Sequence, residues 1–224
     1  MQMKKRIAVL LMIAAVAAAM AGCSGGEIET VFFGRYEQDG IAENGAEPIE
    51  WIVAHKDEEK TLLIAKDVLE LLPYNALAAD DSISLVFWEG STLREWLNGA
   101  FMETAFTPEE RARIAETANK NIVENDFHYS EDPDTIDTAF LLSKEEAEEY
   151  LRGDNMRIAR PSAYALAKGA RVDNKGNCKW WMRSFSEEDH AYYIDSAGKM
   201  GKRGFYIYYY DLAEVRPAIW LCNE

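Results

Sequence analysis

The segment KWWMRSF, residues 179–185, constrains the fold more than any other part of this sequence. In a β-strand, Trp180 and Met182 face one side, whereas Trp181 and Arg183 face the other. Burying one tryptophan removes about 150–250 Å² from water, worth about 4–6 kcal/mol at ~25 cal/mol per Å². Two adjacent tryptophans therefore predict a strand that is covered on both faces, and we assign Trp180, Trp181 and Arg183 to the structural core.

A second segment, VRPAIWL at 215–221, has the same character. Arg216 shares one face of the predicted strand with Ala218 and Trp220, and we assign it to the structural core as well. Pro217 has no N–H to donate, so this strand lies at the edge of a sheet or ends at the proline.

The first residues indicate export. Basic residues at positions 4–6 precede an uncharged, mostly apolar run at 7–21. This run is long enough for a signal peptide and shorter than the ~20 residues that span a membrane. It leads into Cys23 through small residues, which resembles the bacterial lipoprotein signal, although Met20 stands where a leucine is usual. The alternative is an ordinary secretory signal with a chance cysteine.

We therefore predict a lipoprotein signal peptide at 1–22, a lipidated tether at 23–30 and a single domain at 31–224. Loss of residues 1–22 removes three positive charges and no negative ones, so the net charge moves from −15 to −18. Such a surface repels phosphate backbones and anionic headgroups, which argues against nucleic acid as a partner. Attachment to the membrane is expected through the lipid on Cys23.

Cys178 and Cys222 remain once Cys23 is lipidated. In an exported protein, an even pair of cysteines indicates a disulfide, which here would clip the two tryptophan-rich strands together. The alternative is a pair of buried free thiols; we favour the disulfide.

The remaining patterns predict an α+β fold with short antiparallel strands and several peripheral helices. Capping signals begin helices at Ser91, Thr107 and Ser143, and Gly169 ends a fourth helix. Strands lie before and after these helices, with no βαβ repeat. The predicted strands are 31–36, 47–56, 60–66, 137–143, 179–184, 190–194, 203–209 and 213–221.

The predicted strand 203–209 is rich in tyrosine. Alternate residues of a strand share a face, and one face of this strand has nothing obvious to cover it. Tyrosine combines a large contact area with a hydroxyl for hydrogen bonding, as recognition surfaces require. The alternative is that these tyrosines pack under the neighbouring loop or against a partner. The candidate ligand-binding residues are Tyr206, Tyr208, Tyr210, Phe185 and His190.

Several motifs together resemble one known family. They are FGRYEQDG, EPIEWIV, STLREWLNGAFMETAF, AFLLSKEEAEEYL, RPSAYALAKGA, CKWWMRSF and VRPAIWL, in this order. The set is similar to an exported bacterial domain of unknown function, the DUF6273 type, over roughly residues 31–222. That type in turn resembles the C-type lectin-like fold of the formylglycine-generating enzymes and of retroelement-diversified binding proteins.

The resemblance implies a C-type lectin-like domain in which the tryptophan-rich strand and the last strand build the core. In such relatives, the ligand-contacting residues lie between these two strands, which again points to the tyrosine-rich segment. The sequence at 185–187 replaces the usual Pro-Gly, so the loop there should differ in shape. The copper-binding cysteine pair of the formylglycine-generating branch is not expected, because Cys178 and Cys222 flank structural strands.

No metal or cofactor is predicted. The three histidines are far apart in the sequence and lack the spacing of a zinc site. Asp132, Asp134 and Asp137 are weak candidates for calcium ligands, since their spacing breaks the EF-hand pattern. The alternative is a solvated acidic loop.

These observations favour a lipid-anchored, exported binding module over an enzyme. Its ligand would be a glycan or a protein of the cell envelope or surface. One alternative is a hydrolase acting on envelope or other glycans, because two carboxylates suffice for that chemistry. The other is a purely structural envelope lipoprotein.

The lipid anchor predicts the behaviour of a Cys23→Ser variant. Without the acceptor thiol, the protein should be released into the medium or accumulate as an uncleaved precursor. Cell fractionation and immunoblotting measure both outcomes, and a variant that fractionates with membranes as the wild type does would contradict lipidation.

Overall fold

A computed structural model describes residues 28–76, 86–121, 133–187, 189–208 and 214–223 of the chain. The strands within these ranges are β1 (Thr30–Tyr36), β2 (Glu47–Lys56), β3 (Lys60–Ala65), β4 (Glu70–Leu71), β5 (Thr117–Asn119), β6 (Thr135–Asp137), β7 (Ala139–Phe140), β8 (Trp180–Glu187), β9 (His190–Ile194), β10 (Phe205–Tyr206), β11 (Glu214–Val215) and β12 (Ala218–Cys222). All pairings between these strands are antiparallel. Together with several helices they form an α+β fold.

The described helices are short, and several of them begin at side-chain caps. Ser91, Thr107 and Ser143 each accept a hydrogen bond from the backbone N–H three residues later, which confirms the predicted helix starts. No helix in the described ranges is long and apolar enough to cross a membrane. The helices are α1 (Thr92–Trp96), which continues through a π-helical turn (Leu97–Phe101) into α2 (Met102–Ala105), then α3 (Pro108–Arg111), α4 (Lys144–Tyr150), α5 (Asp154–Arg157) and α6 (Ala163–Ala167).

The largest sheet has five strands in the order β1-β2-β3-β12-β7. The predicted strands at 47–56 and 60–66 are present as β2 and β3, which pair with each other as a hairpin. The α1–α2 helical segment packs against β1, where a Cβ on Gly34 would lie 2.7 Å from the carbonyl oxygen of Ala105. Gly34 also has a φ of +67°, which only glycine adopts without strain, so this close approach depends on the residue type.

A second sheet, β10-β9-β8, contains the tryptophan-rich strand. Trp180, Trp181, Met182 and Arg183 are all buried, so β8 is covered on both faces, as the sequence indicates. The Trp181 ring meets Tyr74 edge-on, with centroids 5.5 Å apart, and Trp180 packs beneath the guanidinium of Arg216.

The segment predicted as one strand at 213–221 is divided at Pro217. The residues before the proline form β11, which pairs with β4, and those after it form β12, which lies between β3 and β7. β12 therefore belongs to a different sheet from β8. Cys178 lies just before β8 and Cys222 ends β12, and this separation explains why the predicted disulfide is not formed.

Asp137, at the end of β6, joins three parts of the chain through its buried carboxylate. Oδ1 accepts a hydrogen bond from Arg94 Nε at 2.6 Å. Oδ2 accepts from Trp88 Nε1 at 3.0 Å, Asn119 Nδ2 at 2.8 Å and Thr135 Oγ1 at 2.7 Å. Because the donors come from the approach to α1, from α1, from β5 and from β6, this single side chain fixes β6 against the helical segment.

Of the three aspartates predicted as weak calcium ligands, the structure describes Asp134 and Asp137. Asp137 is 1 % exposed and its oxygens already accept protein donors, so it is a structural residue and not a metal ligand. Asp134 is exposed and accepts a hydrogen bond from Asn121 N at 3.3 Å. Asp132 lies outside the described residues.

Replacing Asp137 by alanine should destabilise the fold by about 3–5 kcal/mol, because the buried donors of Trp88, Asn119 and Thr135 lose their shared acceptor. Asp134→Ala is the matched control in the same segment and should change the free energy of unfolding by less than about 0.5 kcal/mol. Urea unfolding followed by tryptophan fluorescence measures both. Equal stability of the two variants would contradict the structural role of Asp137.

Candidate ligand cleft

A cleft of about 290 Å³ lies between two tight turns of the chain, at 173–176 and at 195–198, and we call it the two-turn cleft. The first turn precedes β8 and the second follows β9. Both have the same sequence pattern, an aspartate followed three residues later by glycine: DNKG and DSAG. Two such turns facing each other place polar side chains on opposite walls of one cleft.

Asp173 closes the first turn. Its Oδ1 accepts hydrogen bonds from the backbone N–H groups of Lys175 at 2.8 Å and Asn177 at 3.0 Å. These bonds, the one from Asn177 most strongly and a further one from the side chain of Ser196, hold the pKa of Asp173 below its usual value. Asp173 is therefore ionised at neutral pH, and its interaction with Ser196 connects the two turns.

Asp195 closes the second turn in the same way. Its Oδ1 accepts from Ala197 N at 2.9 Å and Lys199 N at 2.8 Å. Gly198 has a φ of +77°, and a Cβ on it would lie 2.5 Å from the carbonyl oxygen of Asp154. Lys199 also forms an ion pair with Asp154, so the second turn is fixed against α5.

The interior of the two-turn cleft is built from β10, β11 and the residue before β8. Glu214, on β11, is 2 % exposed and its Oε1 accepts a hydrogen bond from the backbone N–H of Arg171 at 3.1 Å. Phe205 contributes an aromatic ring from β10. The ammonium of Lys179 lies 4.9 Å from the centroid of that ring and 5.6 Å from the centroid of Tyr193.

Arg216 lies in the core behind the cleft. Its Nε donates to Ala65 O at 2.7 Å, and its Nη1 donates to the carbonyl oxygens of Met156 and Arg157, each at 3.2 Å. Its carbon Cζ is 5.0 Å from the Trp180 ring. Burial lowers the pKa of Arg216 to about 10, so the guanidinium stays charged at neutral pH and holds the end of α5 to β3.

Arg183 has a similar structural role on β8. Nη1 and Nη2 donate to the two carboxylate oxygens of Glu146, at 2.5 and 2.7 Å, and Nη1 also donates to Leu141 O at 2.8 Å. A bidentate pair of this kind fixes the start of α4 against the strand.

Of the tyrosine-rich face expected from the sequence, the structure describes Tyr206 and Tyr208, whose ring centroids lie 5.4 Å apart. β10 ends at Tyr206, and the next two residues turn, with Ile207 N donating to Asp189 O at 3.0 Å. Tyr208 is consequently 6 % exposed and accepts a hydrogen bond from Asn75 Nδ2 at 3.3 Å. Tyr210 lies outside the described residues.

The two other residues proposed for that face are also placed differently. Phe185 is fully buried, with its ring centroid 5.1 Å from those of Tyr74 and of Phe87. His190 is half-buried and its ring lies 5.7 Å from the ring of Tyr206. Phe185 is therefore a core residue, whereas His190 and Tyr206 lie together and are each partly exposed.

Within the part of the chain that the structure describes, two groups of side chains could hold a metal ion. Glu187, Asp189 and His190 have ligand atoms within 4.8 Å of one another, and Asp189 Oδ1 lies 2.5 Å from His190 Nδ1. The second group is formed by Glu37, Asp39 and Glu47. Exposed carboxylates cluster in this way without a metal in many acidic proteins, and the carboxylates of the second group accept hydrogen bonds from backbone N–H groups of their own loop.

Sequence reasoning missed the two-turn cleft. Its walls come from segments that are distant in the chain, around 171–179, 196, 205 and 214. The repeated Asp-x-x-Gly turns were the available signal, since aspartate at the first position and glycine at the fourth favour a tight turn. Their mutual approach depends on the pairing of Trp180 in β8 with Ile194 in β9, which the turns themselves do not encode.

The environments of the two cysteines predict unequal reactivity. Burial and, second, the charge of Glu214 raise the pKa of the Cys178 thiol above its usual value, whereas Cys222 is exposed. In the native protein, iodoacetamide should modify Cys222 at least about tenfold faster than Cys178, because the thiolate is the nucleophile. Peptide mass spectrometry measures this, with Cys222→Ser as the control. If neither thiol reacts until the protein has been reduced, the result would support the predicted disulfide and contradict the free thiols.

Comparison with known proteins identifies the family but no characterised relative. A search of curated proteins and a search of solved structures each found no match. A family model described as "Domain of unknown function (DUF6273)" matches residues 58–223, which is more than half of the chain and includes every segment that lines the two-turn cleft. The chain therefore belongs to the DUF6273 family.

Proposed function

We propose that this protein is an exported, lipid-anchored binding module that holds a small polar ligand in the two-turn cleft. The observation that carries the proposal is the convergence of charged, amide, hydroxyl and aromatic side chains on one concavity. Its volume of about 290 Å³ is close to the lower end of the range for small-molecule sites, about 300–1,000 Å³.

The size of the cleft favours a glycan over a protein as the ligand. Stable protein–protein interfaces bury about 1,200–2,000 Å² over an extended surface. The two-turn cleft is a local concavity between two turns, with room for a ligand about as large as one sugar residue. Phe205 offers a ring against which a sugar can pack, and Asn177 and Ser196 offer polar groups for its hydroxyls.

The glycan hydrolase alternative is supported less well. Asp173 and Glu214 both line the cleft, but a glycosidase needs one carboxylic acid whose pKa is raised so that it can protonate the leaving group. The pKa of Asp173 is instead lowered by its hydrogen bonds, and Glu214 is committed to the Arg171 backbone. These two carboxylates therefore suit a site that binds its ligand without cleaving it better than they suit a hydrolase.

The anchor and the finer fold assignment are supported by the sequence. The signal-like segment and Cys23 support lipid attachment, and the predicted tether at 23–30 would hold the domain near the membrane surface. The motif set at 31–222 supports a C-type lectin-like arrangement of the α+β fold. A purely structural envelope role has no supporting feature as specific as the cleft.

A bulky side chain at Ser196 tests the binding site. Ser196→Trp should fill the two-turn cleft and lower glycan capture at least about tenfold. Ala197→Trp is the matched control, because Ala197 is the next residue of the same turn, is exposed and does not line the cleft. The full-length protein in proteoliposomes would be applied to a glycan array, with thermal unfolding to check both variants. Equal capture by wild type and Ser196→Trp would contradict the proposal.

A further inference from the structure

We infer that the ligand of the two-turn cleft is an anionic sugar whose acidic group pairs with Lys179. The inference rests on the proposed function, since it assigns the chemistry of the ligand in the same cleft. It follows from which charged groups of the cleft already have protein partners and which one does not.

Both carboxylates of the cleft are occupied by protein donors. Asp173 accepts two backbone N–H groups of its own turn and interacts with Ser196 across the cleft. Glu214 is buried and accepts the backbone N–H of Arg171. Neither carboxylate therefore requires a cationic ligand.

Lys179 is in the opposite situation. Its side chain is half-buried, and its ammonium is held between the rings of Phe205 and Tyr193. Aromatic faces attract the ammonium but accept none of its three N–H donors as a carboxylate would. Among the residues that the structure describes, Lys179 forms no ion pair and no hydrogen bond through its side chain.

The absence of a described carboxylate beside Lys179 contrasts with other lysines of this acidic chain. The protein carries 39 aspartates and glutamates against 24 lysines and arginines, and the structure contains several lysine–carboxylate pairs, including Lys66 with Glu50 and Lys168 with Glu70. A partly buried ammonium gains Coulomb attraction when a negative group approaches it. An anionic group on the ligand supplies that partner.

The Phe205 ring beside Lys179 favours a sugar as the remaining part of the ligand. Phe205 presents an apolar surface beside the ammonium, and Asn177 and Ser196 present polar groups within the same 290 Å³. A sugar ring has both an apolar face and hydroxyls, and a carboxylate or phosphate on it would reach Lys179. The ligand class is therefore an acidic monosaccharide, or such a residue at the end of a glycan.

The test compares charged and neutral forms of one sugar. The full-length protein in detergent would be titrated with D-glucuronate, D-glucose 6-phosphate, D-glucose and acetate, with binding followed by ligand-observed NMR. We expect one or both anionic sugars to bind at least about tenfold more tightly than glucose or acetate. The two anionic sugars distinguish a carboxylate from a phosphate as the recognised group.

Variants at Lys179 assign the effect to this side chain. Lys179→Met keeps the apolar stem and should remove the preference for the anionic sugar, and Lys179→Arg should retain it. Lys175→Met is the matched control, since Lys175 is an exposed residue of the adjacent turn and does not line the cleft. Thermal unfolding checks that each variant is folded.

The outcomes separate this inference from the function on which it rests. Sugar binding that is lost in Ser196→Trp but is unchanged in Lys179→Met would keep the cleft and overturn the anionic ligand. Glucose binding as tightly as glucuronate and glucose 6-phosphate, or no binding of either anionic sugar, would also overturn it. Binding that is insensitive to Ser196→Trp would overturn the cleft itself.

Discussion

The buried carboxylate of Asp137 fixes the β5–β6 pair against the helical segment that begins with α1. Its hydrogen bonds to Trp88, Arg94 and Asn119 connect the helical segment with the β5–β6 pair. β7 begins two residues later and pairs with β12, so the position of Asp137 also sets the edge of the five-stranded sheet. A charge buried in this way is tolerated only when its acceptor positions are filled, which makes the surrounding donors a single interdependent group.

The two-turn cleft depends on a second buried charge. Arg216 lies where the chain passes from β11 to β12, and its hydrogen bonds reach Ala65 and the end of α5. Asp154 at the start of α5 in turn contacts the second turn of the cleft, through Gly198 and Lys199. The core therefore positions both sides of the cleft. Glu214, two residues before Arg216, lines the cleft from inside, and α5 holds the second turn in place.

Features encoded by neighbouring residues could be predicted from the sequence. The caps at Ser91, Thr107 and Ser143 and the double-sided burial of Trp180 and Trp181 each depend on local spacing. The disulfide and the tyrosine-rich face required knowledge of which strands pair. β12 pairs with β3 and β7, away from β8, and β10 ends at Tyr206, so the local sequence pattern could not place Cys222 or Tyr208. The cleft was missed for the same reason.

The central claim is that the ligand binds in the two-turn cleft. Titration of the isotope-labelled protein with D-glucuronate, followed by two-dimensional ¹H–¹⁵N NMR, maps the contact residue by residue. We predict that the backbone amide signals of Asp173, Asn177, Lys179 and Ser196 shift together with one dissociation constant. Shifts confined to His190 and Tyr206, with the signals of the cleft unchanged, would contradict the account and return the site to the surface that the sequence first indicated.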